Sequence, residues 1–249
     1  MSSAARRVVI LGATSAIAAA AARLWAKDGA RLVLVGRKAE RLKAIADDVT
    51  ARGAGAAKVV VLDCATADAE AELTSIADGL GGLDIVLIAY GVLGDPRTLE
   101  TSPEAAADLL RCNFTSAAAW CLAAARILEM QRAGTLLVIG SVAGDRGRRS
   151  NYVYGASKAG LGVLVQGLAH RLAGTGARTV LIKPGFVDTP MTAHITGWGP
   201  LWASPERLGA IIVRAGERGG PVVYAPWFWR PILLAARLLP AALFHRTRL

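Results

Sequence analysis

Seven short apolar runs, each followed by a helix-length segment, set the tightest limit on what this chain can fold into. Val8–Leu11, Leu32–Val35, Val59–Leu62, Ile85–Ile88, Leu136–Ile139, Val180–Ile182 and Val222–Tyr224 are mostly β-branched and show no alternation of polar and apolar residues. Strands of that kind have both faces covered, as in a parallel sheet. Between them, Ile17–Lys27, Ala39–Ala51, Ala67–Ala77, Glu104–Gln131, Val153–Ala173 and Pro205–Glu217 read as helices. Ser204-Pro205 supplies a helix start, with serine as cap and proline in the first turn. The expectation is one doubly wound Rossmann-type α/β domain: a seven-stranded parallel sheet, helices on both faces, and an added C-terminal amphipathic helix. The domain spans residues 1–225, and a basic tail spans 226–249.

Composition narrows the class. The chain has 249 residues, a net charge of +10 and 53% hydrophobic residues. It is too apolar for disorder and long enough to bury a large core. The arginines are scattered singly, which argues against nucleic acid as a partner. Cys64, Cys112 and Cys121 are odd in number and lie in apolar runs, as reduced core thiols of a cytoplasmic protein would. No His/Cys/Asp/Glu cluster has metal-ligand spacing, so no metal is expected. Arg6-Arg7 before VVILGATSAIAAAAA has the outline of a signal peptide. A strand, a tight turn and a helix explain it better, because the next run completes a βαβ unit.

The chemistry-bearing residues lie at the ends of these strands. Gly12-Ala13-Thr14-Ser15-Ala16-Ile17 is a strand-to-helix turn of the kind that brings backbone N–H groups to a pyrophosphate. Tyr154 and Lys158, four apart, share a helix face. An ammonium beside a phenol is expected to lower the Tyr154 pKa, making Tyr154 a proton donor for a carbonyl that receives hydride. Ser141 closes the preceding strand, and Asn113 interrupts a long apolar helix.

With these residues in place, the chain resembles the short-chain dehydrogenase/reductase family over residues 6–225. The matching features are GATSAIA, Asp63 after the third strand, Asn113, Ser141, Tyr154-x-x-x-Lys158 and Pro184-Gly185-Phe186-Val187-Asp188-Thr189. The resemblance implies a catalytic tetrad. Ser141 would orient the carbonyl and Tyr154 would act as general acid. Lys158 would hold the cofactor ribose, and Asn113 would fix a water in the proton relay. It implies cofactor contacts at Gly12, Thr14, Ser15, Ala16, Ile17, Ala89, Gly91, Tyr154, Lys158, Pro184, Gly185, Val187 and Thr189, with Asp63 at the adenine. The chain departs from the family at Ala16 and Ala18, where glycines are usual, and at Ile88-Ala89-Tyr90-Gly91, which replaces Asn-Asn-Ala-Gly. Tyr90 therefore stands either near the cofactor or in the core. The second strand ends in Gly36-Arg37-Lys38 with no carboxylate for a ribose 2′-hydroxyl. Arg37 offers a fork for a 2′-phosphate, so NADP(H) is the expected cofactor.

Four further segments resemble the decaprenylphosphoryl-2-keto-ribose reductase branch: Ala89–Asp95, Arg148–Tyr154, Pro190–His194, and the tail from Ala225-Pro226-Trp227 to Phe244-His245-Arg246. That branch reduces a lipid-linked keto sugar after a flavoprotein oxidase, which would be a partner. It would put Arg146, Arg148 and Arg149 near a substrate phosphate. The tail itself carries Arg230, Arg237, Arg246 and Arg248 with no acid, and Trp227 and Trp229 at its start. Its apolar stretches fall well short of the ~20 residues needed to span a bilayer. An interfacial helix giving peripheral contact with the inner face of the cell membrane is expected, against packing on a partner subunit. Pro190–Ala203 is expected to cover the substrate, with His194 in contact with it, while His170 and His245 lie on the surface. Two helices apolar nearly all round, 109–128 and 159–172, point to a homodimer or homotetramer. Two other functions fit the same motifs: a soluble reductase or dehydrogenase of a small hydrophobic ketone or alcohol, and a dinucleotide-binding sensor without turnover.

Overall fold

The computed structural model describes residues 5–193 and 199–247. His194 and Arg248 lie outside the described residues, as does part of the expected covering segment. The strands are β1 (Arg7–Leu11), β2 (Arg31–Gly36), β3 (Ala56–Val61), β4 (Ile85–Ile88), β5 (Thr135–Ile139), β6 (Arg178–Pro184), β7 (Phe186–Val187), β8 (Trp202–Ala203) and β9 (Val222–Ala225). The helices are α1 (Ala16–Lys27), α2 (Ala39–Ala51), α3 (Ala69–Leu80), α4 (Pro96–Thr101), α5 (Pro103–Leu110), α6 (Ala117–Gln131), α7 (Tyr152–Arg171), α8 (Pro205–Arg218), α9 (Trp229–Leu238) and α10 (Ala241–Phe244). Seven strands form one sheet in the order β3-β2-β1-β4-β5-β6-β9, every pair parallel. Strand order reverses at β1/β4, where ligands bind in open α/β sheets. Arg7–Leu11 is thus a central strand, as the βαβ argument required.

The continuous apolar runs are explained by two cores, one on each face of the sheet. One gathers Val9, Val86, Leu136, Trp120 and Leu128 under α3, α6 and α7. The other gathers Ile10, Leu34, Leu87, Trp25 and Ile212 under α1, α2 and α8. The third strand departs from expectation. It begins at Ala56, and as an edge strand it leaves Ala56, Lys58 and Val61 exposed. The serine at the start of α8 caps as expected, accepting from the Arg207 N–H at 3.2 Å.

The expected single helix over Glu104–Gln131 is three pieces. α5 runs into one turn of π-helix at Arg111–Ser116, which leads into α6. The extra residue in that turn changes which side chains face the sheet edge, and Asn113 stands in it. The tail also differs from the expected single helix. The chain breaks at Leu239-Pro240 into α9 and the short α10, because proline lacks the N–H needed to continue a helix. Among the described residues no helix is long and apolar enough to cross a membrane.

Candidate active site

Four segments converge at the C-terminal edge of the central strands. The first is the turn after β1. Gly12 has φ +85°, and a Cβ there would fall 2.7 Å from the Tyr90 Cβ, so the turn closes only with glycine. The Gly12 and Ala13 N–H groups both donate to the Val35 carbonyl, at 2.9 and 3.0 Å. Thr14 and Ser15 complete the turn, and α1 opens at Ala16 with no side-chain cap from Ser15. An uncapped helix N-terminus at the strand-order reversal is a site for a pyrophosphate. Ala16 is half-buried and Ala18 fully buried, so the two extra methyls pack into the protein.

The second segment follows β4. The Ala89 N–H donates to the Leu11 carbonyl at 2.9 Å, which ties the β4 end to β1. Tyr90 belongs to the core: its hydroxyl shares a 2.9 Å hydrogen bond with Ser116 Oγ, and burial drives its pKa upward. Asn113 is 1% exposed. It donates from Nδ2 to the Val92 carbonyl at 2.7 Å and accepts the Val92 N–H at Oδ1 at 2.8 Å. A Cβ on Gly91 would lie 3.0 Å from Asn113 Oδ1 and 3.5 Å from Lys158 Nζ, so these two side chains are neighbours. Asn113 locks the loop after β4 against α7.

The third segment carries Ser141, Tyr154 and Lys158. The loop after β5 can lie on α7 because Gly144 and Gly155 are bare. A Cβ on either would meet backbone at 2.8 and 2.9 Å respectively. This approach brings the Ser141 side chain beside the Tyr154 hydroxyl, where it favours the phenolate. Lys158 is 6% exposed and donates to the Ile139 carbonyl at 3.2 Å. Its Nζ sits 5.9 Å from the Tyr154 ring centroid. The expected lowering of the Tyr154 pKa is absent in this geometry. Burial pushes the phenol up, opposed by Ser141. Burial likewise lowers the Lys158 ammonium to about 8. Both groups are biased toward neutrality, which keeps the Tyr154 proton in place to be donated.

The fourth segment is Pro184-Gly185-Phe186-Val187 with Thr189. Pro184 and Val187 are buried, and the Gly185 N–H donates to the Ala225 carbonyl at 3.1 Å. Thr189 pairs with Thr192 Oγ1 through its N–H and its hydroxyl, both at 3.2 Å. At the outer end of the crevice, Arg37 stands 3.6 Å from Asp63, with Arg37 two-thirds exposed. Asp63 also accepts the Ala65 N–H at 2.9 Å. The uncapped α1 terminus, the remaining Lys158 donors and the Arg37–Asp63 pair line one continuous edge. These residues fit an extended dinucleotide.

A cavity of about 310 Å³ opens on Tyr154, walled by Leu93, Leu99, Tyr152, Phe186 and Arg148. A larger, more open hollow of about 670 Å³ lies at the opposite, N-terminal edge of the sheet. There Arg7 pairs with Asp84 at 2.7 Å and Arg31 donates to the Leu80 carbonyl at 3.2 Å, so its polar groups are already satisfied. The smaller cavity is therefore the candidate site.

The arginine cluster is divided by the structure. Arg146 does not face the cavity. It donates to the carbonyls of Ala236, Arg237 and Leu239 at the end of α9, and its guanidinium lies 3.8 Å from the Phe244 ring centroid. Arg149 is exposed, as are His170 and His245, while Arg148 lines the cavity. The sequence reading missed Asp145. Its side chain is fully buried and binds both Lys183 and the Tyr224 hydroxyl, the latter at 2.6 Å. Lys183 and Tyr224 are register partners on β6 and β9, so this buried trio anchors the Ser141 loop to the sheet. Cys64, Cys112 and Cys121 are free thiols, and burial raises Cys64 to about 12.

Comparison with known proteins gives concordant results. A model of the short chain dehydrogenase family matches residues 6–199. An uncharacterized oxidoreductase of Streptomyces coelicolor is 37% identical over 97% of this chain and 95% of its own length. Another, from Mycobacterium tuberculosis, is 38% identical over 96% of each chain. A crystal structure from Sinorhizobium meliloti superposes with a TM-score of 0.80 at 23% identity, over 91% of this chain and 96% of the other. A second solved structure, a short chain dehydrogenase/reductase family protein, superposes at 0.77 with 27% identity, over 88% of this chain and 95% of the other.

Proposed function

Because the chain belongs to the short-chain dehydrogenase family, we propose that it is an NADP(H)-dependent ketoreductase. The observation that carries this is Tyr154 at the wall of the 310 Å³ cavity, with Ser141 beside its hydroxyl and Lys158 one helical turn on. When bound, the nicotinamide supplies hydride to the substrate carbonyl carbon. Tyr154 donates its proton to the carbonyl oxygen, and Ser141 holds that oxygen by a second hydrogen bond. Lys158 binds the ribose with donors left free by Ile139. Asn113 positions the loop after β4. Arg37, with no acid at the end of β2, supports a 2′-phosphate and hence NADP(H).

The substrate we propose is a lipid-linked keto sugar, the class its branch resemblance implies, reached from a membrane surface. The support is α9. Trp229 and Leu233 are buried against Val142 and Phe186, while Leu234 and Leu238 on the opposite side are 55% and 74% exposed. Arg230 and Arg237 are both exposed and share one helical stripe at i and i+7. A helix apolar on both sides with arginines along one flank suits an anionic lipid surface. A flavoprotein oxidase would supply the keto substrate. Exposed Leu122 and Val163 on α6 and α7 support pairing of two copies there. The test is NADPH oxidation by full-length protein with hydrophobic ketones, compared with the Tyr154→Phe variant. Turnover lost only in the variant is expected; equal turnover in both would refute the assignment.

A further inference from the structure

Among the described residues, Asp145 and Lys183 form the one buried ion pair. The Asp145 side chain is 0% exposed and that of Lys183 12%, whereas both partners of every other described pair are at least 29% exposed. The carboxylate uses both oxygens: Lys183 Nζ donates to Oδ1, and the Tyr224 hydroxyl donates to Oδ2 at 2.6 Å. Burial, reinforced by the bond to Asp145, pushes the Tyr224 phenol up to about 12, so it keeps the proton it donates.

Stability is a weak reason for such a pair, because the cost of taking two charges out of water cancels much of their attraction. What the pair fixes is geometry. Asp145 lies four residues after Ser141 in one tight turn, in which Ser141 Oγ accepts the Ala143 N–H at 3.1 Å and the Ser141 carbonyl accepts the Gly144 N–H at 3.2 Å. Gly144 presses this turn against the backbone of Lys158 and Ala159, so a shift of Asp145 carries Ser141 along α7. On the other side, Lys183 immediately precedes Pro184-Gly185-Phe186. Tyr224 and Phe186 both pack on the cluster of Val142, Trp229 and Leu233. The carboxylate therefore ties the loop after β5, which carries Ser141, to the segment after β6, which supplies the Phe186 wall of the Tyr154 cavity.

We propose that Asp145 is a positioning residue: its two oxygens lock the Ser141 loop to the Lys183-Pro184 segment and so set the separation of Ser141 and the Phe186 wall. Its effect on turnover rests on the ketoreductase reading, since Ser141 orients the carbonyl and the Pro184–Val187 turn is expected at the nicotinamide. The lock itself is a property of the protein without cofactor or substrate.

The experiment is deuterium exchange of the full-length protein without cofactor, followed on peptides covering 140–147 and 183–188. Asp145→Asn keeps the shape of the side chain but loses its charge and one accepting oxygen. Exchange should rise about ten- to a hundred-fold in both peptides together, while peptides of α1 and α2 exchange as in the parent. Tyr224→Phe keeps Lys183 in place and should loosen the same two peptides less; it carries the test if Asp145→Asn does not fold. With NADPH and a ketone, kcat of Asp145→Asn should fall about ten- to a hundred-fold through misplacement of the carbonyl. NADPH affinity by fluorescence titration should stay within several-fold. Asp145→Asn combined with Lys183→Met removes both charges and should recover the melting temperature, because no unpaired charge is left buried, while kcat stays low. If the parent reduces no ketone but both peptides loosen together, the ketoreductase reading fails and the lock stands. Unchanged exchange in either peptide of folded variants, kcat at the parent level despite loosening, or kcat restored along with the melting temperature in the double variant overturns the proposal.

Discussion

Trp229 of the C-terminal helix lies directly on Gly185 of the Pro184-Gly185-Phe186 turn, leaving no room there for a Cβ. The same indole meets Phe186 edge-on at 5.5 Å between centroids, and Phe186 stacks on Trp202 at 5.4 Å. Phe186 in turn walls the Tyr154 cavity. The tail is therefore packed into the floor of the active site. Its inner face supports the turn expected at the nicotinamide, and only its outer face is left for a membrane.

That coupling predicts what Arg146→Ala does. The substitution removes the donor that closes the end of α9 and the cation over Phe244. A loss of about 1–3 kcal/mol is expected, since charge-assisted bonds to backbone carbonyls are broken. Thermal unfolding should fall by several degrees, and KM for ketone should rise as the Phe186 wall loosens. An unchanged melting temperature would show that the tail helix holds without Arg146.

The outer face makes a separate prediction. Leu234→Glu with Leu238→Glu places charge on exposed positions, so stability should shift by no more than about 0.5 kcal/mol at each. Co-sedimentation with anionic vesicles should be lost, and in the parent it should weaken as salt rises. If the parent ignores vesicles while the variant changes oligomeric state by light scattering, the face is a subunit contact.

Tyr154→Phe removes the proton donor and keeps the ring. Turnover should drop about 10²–10⁴-fold, with NADPH affinity within several-fold of the parent. Fluorescence titration of NADPH alongside steady-state rates checks both parts.

Arg37→Ala should narrow the preference for NADPH over NADH. Loss of a charge-assisted contact to the 2′-phosphate lowers NADPH affinity by roughly ten- to a hundred-fold. NADH binding, lacking that phosphate, should change little. Equal losses for both cofactors would place Arg37 elsewhere, held by Asp63.

The buried Lys158 makes stability depend on pH. Its folded-state pKa is lowered to about 8 from 10.5, so between those values the unfolded chain binds the proton more tightly. Stability then rises with pH across that window, and the unfavourable term is fully present below about 8. Urea unfolding of the parent and Lys158→Met should show the variant's relative advantage largest below pH 8 and shrinking toward pH 10. A difference independent of pH would mean that folding leaves the Lys158 pKa at its ordinary value.

The sheet, its parallel pairing and the four residues at its edge were legible in the sequence. Unbroken β-branched runs admit few arrangements, and Tyr154, Lys158 and Ser141 are fixed by local spacing on one helix and one strand end. The π-turn at Asn113 was not legible, because an extra residue in a helix leaves an apolar pattern nearly unchanged while rotating every later turn of that helix. The arginines show the same limit most sharply. Arg146 and Arg148 are two residues apart and chemically identical, yet one closes a helix more than 80 residues away and the other enters the cavity beside Tyr154. Local sequence carries periodicity and spacing, so it determined the fold and the polar residues at the strand ends. Which charge is satisfied by the tail and which lines the cavity depends on contacts between distant segments, and only the tertiary structure decided it.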